Sequence, residues 1–224
     1  MTDMRNLLAD VTTLGDLLER LGGVPAHRVR LLPHPGLATE ADVEEIERRE
    51  NRLCELVDGV LVEKVMGYKE ALLAGAILEL LRAFVRARRL GLVTGADGMM
   101  RLFPGMVRIP DVAYVSWERV PGQRVPTEPI PSLVPDLAVE VLSPGNTEEE
   151  MARKRREYLA AGVRLVWYID PATRTALEHE APDRSAALGP GDSLTGGAVL
   201  PGFLLSLADL FGELDQVGDV RHTS

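Results

Sequence analysis

Two acidic residues stand where acids are costly. Asp111 opens the apolar run DVAYVS after Ile109-Pro110, and Glu140 lies inside LAVEVL at 137–142, which otherwise reads as a buried strand. A buried carboxylate is unfavourable unless it is paired or bound to metal. Asp111 alone also fits ordinary turn chemistry at a strand start. A charge in mid-strand, as at Glu140, calls for a specific partner. Glu70 lies on the apolar stripe of a helix read over 69–89, in line with Ile77. An acid in a first turn also favours the helix dipole. Lys154 follows on the next helix, where it can reach back to the strand ends or pair with Glu150 at i, i+4. Only Lys64, Lys69 and Lys154 are lysines among 25 basic residues, so arginine is the default cation and a lysine can mark lysine chemistry.

Together these four residues form a coherent set. Two or three carboxylates supply hard oxygen ligands for Mg²⁺ or Mn²⁺. A lysine nearby can orient an attacking water and neutralise charge developing on phosphorus oxygens. That equipment suits metal-dependent phosphodiester hydrolysis. Arg153, Arg155 and Arg156, beside Lys154, are the candidate DNA-facing cations.

Elements must hold these residues in place. Residues 13–22 read as a short amphipathic helix, and 23–38, rich in Pro and Gly, as a connector. A polar helix follows Thr39, with Asp42 at the capping position. CELV and VLVEK flank Asp58-Gly59, a strong hairpin signal. The 69–89 helix is read as stopped by Gly91. Short strands LVTG, MMRLF and DVAYVS precede a proline-rich loop at 117–135. The Glu140 strand leads to a helix from Thr147 to Ala161, with Thr147 and Glu150 as a capping box and Gly162 as its stop. LVWYID is a further strand, TALEHE its partner, and VLPGFLLSLADLF a turn and a closing helix. This order predicts an α/β fold with a mixed sheet.

The motifs IPDVAYVS, PDLAVEVLSPGNT, EMARKRREYLAAGVRLVWYIDP and GGAVLPGFLLSLADLF, preceded by ELVDGVLVEKVMG, resemble the Uma-type family of putative restriction endonucleases, within the PD-(D/E)XK nuclease superfamily. The resemblance runs from about Leu53 to Phe211. It implies a restriction-endonuclease-like core: a central mixed β-sheet flanked by helices, with an N-terminal helical extension. It also implies that Asp111 is the aspartate of the Pro-Asp motif and Glu140 the acid of (D/E)XK. Glu70 matches the acid that some members carry on the first core helix, where related sequences often have histidine. Leu142 stands where the simple motif has lysine, and Lys154 matches the lysine that migrates to the following helix. The chain then divides into an extension at 1–52, a nuclease-like domain at 53–212 and a tail at 213–224.

Composition narrows the alternatives. Hydrophobic residues at 46% and charged residues at 26% are those of a globular domain, which excludes collagen-like and disordered classes. One cysteine, Cys54, forms no internal disulfide and reads as a small buried hydrophobe. No apolar run reaches a membrane span and the N-terminus lacks signal-peptide character, so the expected location is cytoplasmic. A net charge of −9 predicts weak, salt-sensitive DNA affinity. His27, His34, His179 and His222 show no metal spacing and are assigned surface or tail positions. Trp117 is the aromatic best placed to touch a substrate. The resulting expectation is a Mg²⁺- or Mn²⁺-dependent endonuclease acting on DNA, as a homodimer. The alternatives are a catalytically weak or inactive binding or regulatory module of the same fold, or a hydrolase of small nucleotides.

Overall fold

The computed structural model describes residues 10–181 and 183–216. His222 lies outside them. The order is α1 (Leu14–Arg20), α2 (Glu40–Glu50), β1 (Cys54–Val57), β2 (Val60–Glu63), α3 (Tyr68–Arg88), β3 (Gly91–Thr94), β4 (Met100–Phe103), β5 (Met106–Arg108), β6 (Val112–Ser116), β7 (Leu137–Val141), α4 (Glu148–Ala161), β8 (Leu165–Asp170), β9 (Thr175–Ala181), β10 (Arg184–Leu188), β11 (Ser193–Thr195), β12 (Leu204–Ser206) and α5 (Leu207–Gly212). The fold is mixed α/β, as the sequence predicts.

Local chemistry explains most boundaries. Asp58 and Gly59 both take positive φ, 50° and 71°, as a two-residue hairpin turn requires. Thr13 with Asp16, and Thr39 with Asp42, form reciprocal capping boxes that start α1 and α2. Gly162 closes α4 in the left-handed region at φ 98°. Two readings need correction. α3 ends at Arg89, which is itself left-handed, whereas Gly91 opens β3, where a Cβ would collide with the Val115 carbonyl. Thr147 does cap α4, but the Glu150 side chain completes no box because it pairs with Arg28 at 3.0 Å.

The large sheet has the order β10-β9-β8-β7-β6-β3. Its one parallel pair, β7 with β8, is joined through α4, and every other neighbour is antiparallel. Alternation along β7 sorts its side chains: Leu137, Val139 and Val141 face the core shared with α3 and α5, and Ala138 faces the core under α4. The first core is filled by Trp167, stacked on Phe203 at 6.0 Å, with Phe84 edge-on to Phe203 at 5.2 Å. A smaller sheet, β2-β1-β5-β4, packs α2 through Val43, Ile46, Leu56 and Val107. β5 is not among the elements read from the sequence, nor are β10, β11 and β12, the last falling where a turn and a helix are read. Ile109 and Pro110 carry the chain from the small sheet into the large one, so Asp111 sits where the two sheets meet.

α1 and the connector that follows it pack on β1 and β2 through Leu17, Leu21, Val24 and Val29. They also tie to α4, where Arg28 pairs with Glu150, and Arg20 and Arg153 share the Asp58 carboxylate. Among the described residues no helix is long and apolar enough to cross a membrane.

Candidate active site

Glu140 is the fourth residue of β7 and points under α4, on the face of Ala138. The register pairing Val112 with Val139 sets Asp111 opposite Glu140 on that same face. α4 lies across this face and supplies Lys154 and Tyr158, one helical turn apart. The strand–turn–helix order therefore does the positioning: the turn after β7 lays α4 back over the strand that carries Glu140.

The carboxylates are held by specific partners. Asp111 Oδ2 accepts the Val141 amide at 2.7 Å, and Oδ1 lies 2.8 Å from Lys64 Nζ. Glu140 Oε1 lies 2.8 Å from Lys154 Nζ and accepts the Tyr158 hydroxyl at 2.5 Å. Lys154 Nζ also stands 3.0 Å from Glu55 Oε1, which accepts the Ile109 amide at 3.1 Å. Glu55 Oε2 pairs with Arg108, and Arg108 with Glu157. Asp111, Glu140 and Lys154 are all buried, at 5%, 5% and 6% exposure.

Burial sets the proton affinities. It raises the Glu140 carboxyl above its usual range; Asp111 adds to the rise, and Lys154 opposes it without cancelling it. Burial also disfavours the Lys154 charge, but Glu140 and Glu55 outweigh it and hold the ammonium protonated well above the ordinary lysine range. Glu55 resists the same burial through Lys154 and Arg108, and its carboxyl stays below the usual range. Burial first, then Glu140, pushes the Tyr158 hydroxyl far up, so it remains a donor.

Glu70 is not brought into this set. It is buried in the first turn of α3, folded over Gly67, and it lines a cleft of ≈ 790 Å³ with Lys69, Ser143, Thr147, Arg155 and Asp170. The cleft lies outside the carboxyl ends of β7 and β8, where open α/β sheets commonly bind ligands. Among the described residues no group of three or more His, Cys, Asp or Glu side chains is gathered to hold a metal. The donor chemistry at Asp111 and Glu140 nonetheless fits a divalent cation. Two carboxylates share one sheet face, and each raises the need for positive charge; Mg²⁺ commonly takes one or two carboxylates and fills its shell with water.

The three arginines differ. Arg153 is engaged by Asp58 at 3.0 Å and Glu157 at 2.7 Å. Arg155 lines the cleft and approaches His179 at 3.4 Å, while Arg156 is exposed. His179 corrects the surface assignment: it is 3% exposed, on β9, edge-on to Tyr168. Trp117 is half-buried against the core under α4. Glu55, Lys64, Arg108 and Tyr158 went unread as site residues. Glu55 carried the same signal as Glu140, an acid inside an apolar strand, CELV.

The family model described as Uma2, putative restriction endonuclease, matches residues 41–208. The chain belongs to that family. Asp111, Glu140, Lys154 and Glu70 all fall within the Uma2 match, whereas α1 and the connector precede it. The structure is similar to the crystal structure of a putative nuclease belonging to DUF820 from Anabaena variabilis ATCC 29413, with a TM-score of 0.65 and 21% identity. That likeness covers 72% of this chain and 91% of the other, and it concerns the fold. No curated protein matches the chain.

Proposed function

We propose that this Uma2 chain is a Mg²⁺- or Mn²⁺-dependent endonuclease that hydrolyses phosphodiester bonds of DNA. One observation carries the reading: Lys154 of α4 meets Glu140 beside Asp111 in a family described as putative restriction endonucleases. Asp111 and Glu140 are the residues that would hold the cation, and Glu70 borders the neighbouring cleft. A divalent cation supplies Lewis-acid polarisation of a phosphoryl oxygen and a lowered pKa for water.

The protein's own groups do the rest. The Val141 amide fixes one Asp111 oxygen, and the other lies beside the Lys64 ammonium rather than a backbone donor. Lys154 stays protonated between Glu140 and Glu55, so it serves as a fixed charge and hydrogen-bond donor rather than as a base. In that role it orients the attacking water and steadies negative charge gathering on the phosphorus oxygens. Tyr158 holds Glu140 from the helix side. Arg155 offers a phosphate contact in the cleft, and Arg156 is exposed on α4 beside Arg153 instead, against a net charge of −9, so binding is weak and falls with salt. Cutting both strands with one site per chain calls for two copies, hence a homodimer.

Purified protein incubated at low salt with supercoiled plasmid, single-stranded DNA, RNA and nucleotides, with Mg²⁺, Mn²⁺ or EDTA, tests the substrate class. Metal-dependent nicking or linearisation of plasmid is the expected result. Turnover of RNA or nucleotides alone would contradict the DNA assignment. Inertness on every substrate together with no Mn²⁺ binding would make the chain a binding module.

A further inference from the structure

Lys64 has no part in the chemistry just described, yet it sits at its centre. It follows β2 directly, and only 9% of its side chain is exposed. Nζ lies 2.8 Å from Asp111 Oδ1 and 2.5 Å from the Ile109 carbonyl. Asp111 Oδ2 is already taken by the Val141 amide. The lysine therefore caps the one Asp111 oxygen that no backbone amide holds.

We propose that Lys64 is an internal counter-ion that stands in the place of the divalent cation at Asp111 in the metal-free protein and gives it up when the cation binds. The inference rests on the metal site proposed above. Two contrasts support it. Lys154 is fixed by two carboxylates from two different strands, Glu140 and Glu55. Lys64 has one carboxylate and one neutral carbonyl, so it is the lysine more easily released. Its backbone also differs: Lys154 lies within a fourteen-residue helix, whereas Lys64 opens the 64–67 connection, whose Val65 neighbour is 58% exposed. A flexible four-carbon stem there can turn its hydrated ammonium toward solvent. Replacing one cation by another leaves the burial of the Asp111 charge compensated throughout. Lys64 is thus a positioning residue: it holds Asp111 ready and sets the threshold for metal.

Calorimetric titration of the full, metal-stripped chain with Mn²⁺ tests this, alongside thermal unfolding in EDTA and in Mn²⁺. The variants are Lys64→Met and Lys64→Gln; the latter keeps a donor for the Ile109 carbonyl and loses the charge. Both are expected to melt lower in EDTA, to bind Mn²⁺ on the order of tenfold more tightly, and to gain more in Tm from Mn²⁺ than wild type does. A merely structural lysine would lower Tm without tightening binding. Wild-type binding with equal or weaker binding by the variants would overturn the counter-ion role and leave the metal site standing. No Mn²⁺ binding by wild type or variants would overturn the metal site itself, and the counter-ion role with it.

Discussion

Lys154 Nζ stands 2.8 Å from Glu140 Oε1, joining the helix after β7 to the strand itself. The strand itself offers Leu142 two residues beyond Glu140, and the turn after β7 returns α4 so that the cation comes from the helix. The same ammonium separates Glu140 from Glu55, two carboxylates buried on different sheets. Lys154→Met leaves Glu140 without its cation and Glu55 with Arg108 alone, and is expected to cost about 3–5 kcal/mol of stability by urea unfolding. A loss no larger than that of an exposed substitution would contradict this account of the network.

Asp136 offers the matching control at the far end of β7. It is fully buried and accepts the Ser116 amide at 2.6 Å, Arg164 at 2.7 Å and Arg119 at 2.9 Å. These bonds tie β6, β7 and β8 together away from the site. Asp136→Asn is expected to cost about 1.5–3 kcal/mol of stability. Mn²⁺ affinity, measured by calorimetry on the folded variant, should stay at the wild-type value.

His179 makes stability depend on pH. Burial, then the Arg155 charge, pulls its pKa from 6.5 to about 4. Between those values the unfolded chain takes up a proton that the folded chain refuses. The His179 contribution is therefore complete above about pH 6.5 and is lost as pH falls toward 4. Urea unfolding near pH 7 and about pH 5 should show a larger drop for wild type than for His179→Gln. Parallel losses in the two proteins would rule this out.

Cys54 is buried at the start of β1, and its thiol is pushed up to about 11, first by burial and then by Glu63. Little thiolate forms at neutral pH, so the native protein should resist alkylation. Iodoacetamide labelling is expected to appear only across the unfolding transition, at the same urea concentration as the loss of helical signal. Labelling of the native state at the rate of a free thiol would contradict the burial.

Much of this was legible in the sequence. Turn and cap chemistry is local, so Asp58-Gly59, Thr39 with Asp42, and Gly162 announced their elements directly. Glu140 announced itself because a charge inside LAVEVL had to find a partner. The identity of the partners was not local. Lys64 and Glu55 reach the site through the pairing of β1 with β5 and the passage from one sheet to the other, which no spacing encodes. Glu150 looked like a capping acid until Arg28, distant in sequence, claimed its carboxylate. His179 looked like a surface residue because the alternation of TALEHE does not reveal that its face meets Tyr168 and Arg155. The cleft beside Glu70 likewise depends on strand ends that only the folded sheet brings together.

A metal-dependent cutting site at Asp111 and Glu140, as proposed, requires both carboxylate charges. Its most direct test is cleavage of supercoiled plasmid in Mn²⁺ at low salt by wild type and Glu140→Gln, both confirmed folded by circular dichroism. Glu140→Gln keeps an acceptor for Tyr158 and removes the charge. Wild type is expected to cut in a manner that EDTA abolishes, with a loss on the order of a hundredfold or more in the variant. Equal cutting by the two proteins would contradict it.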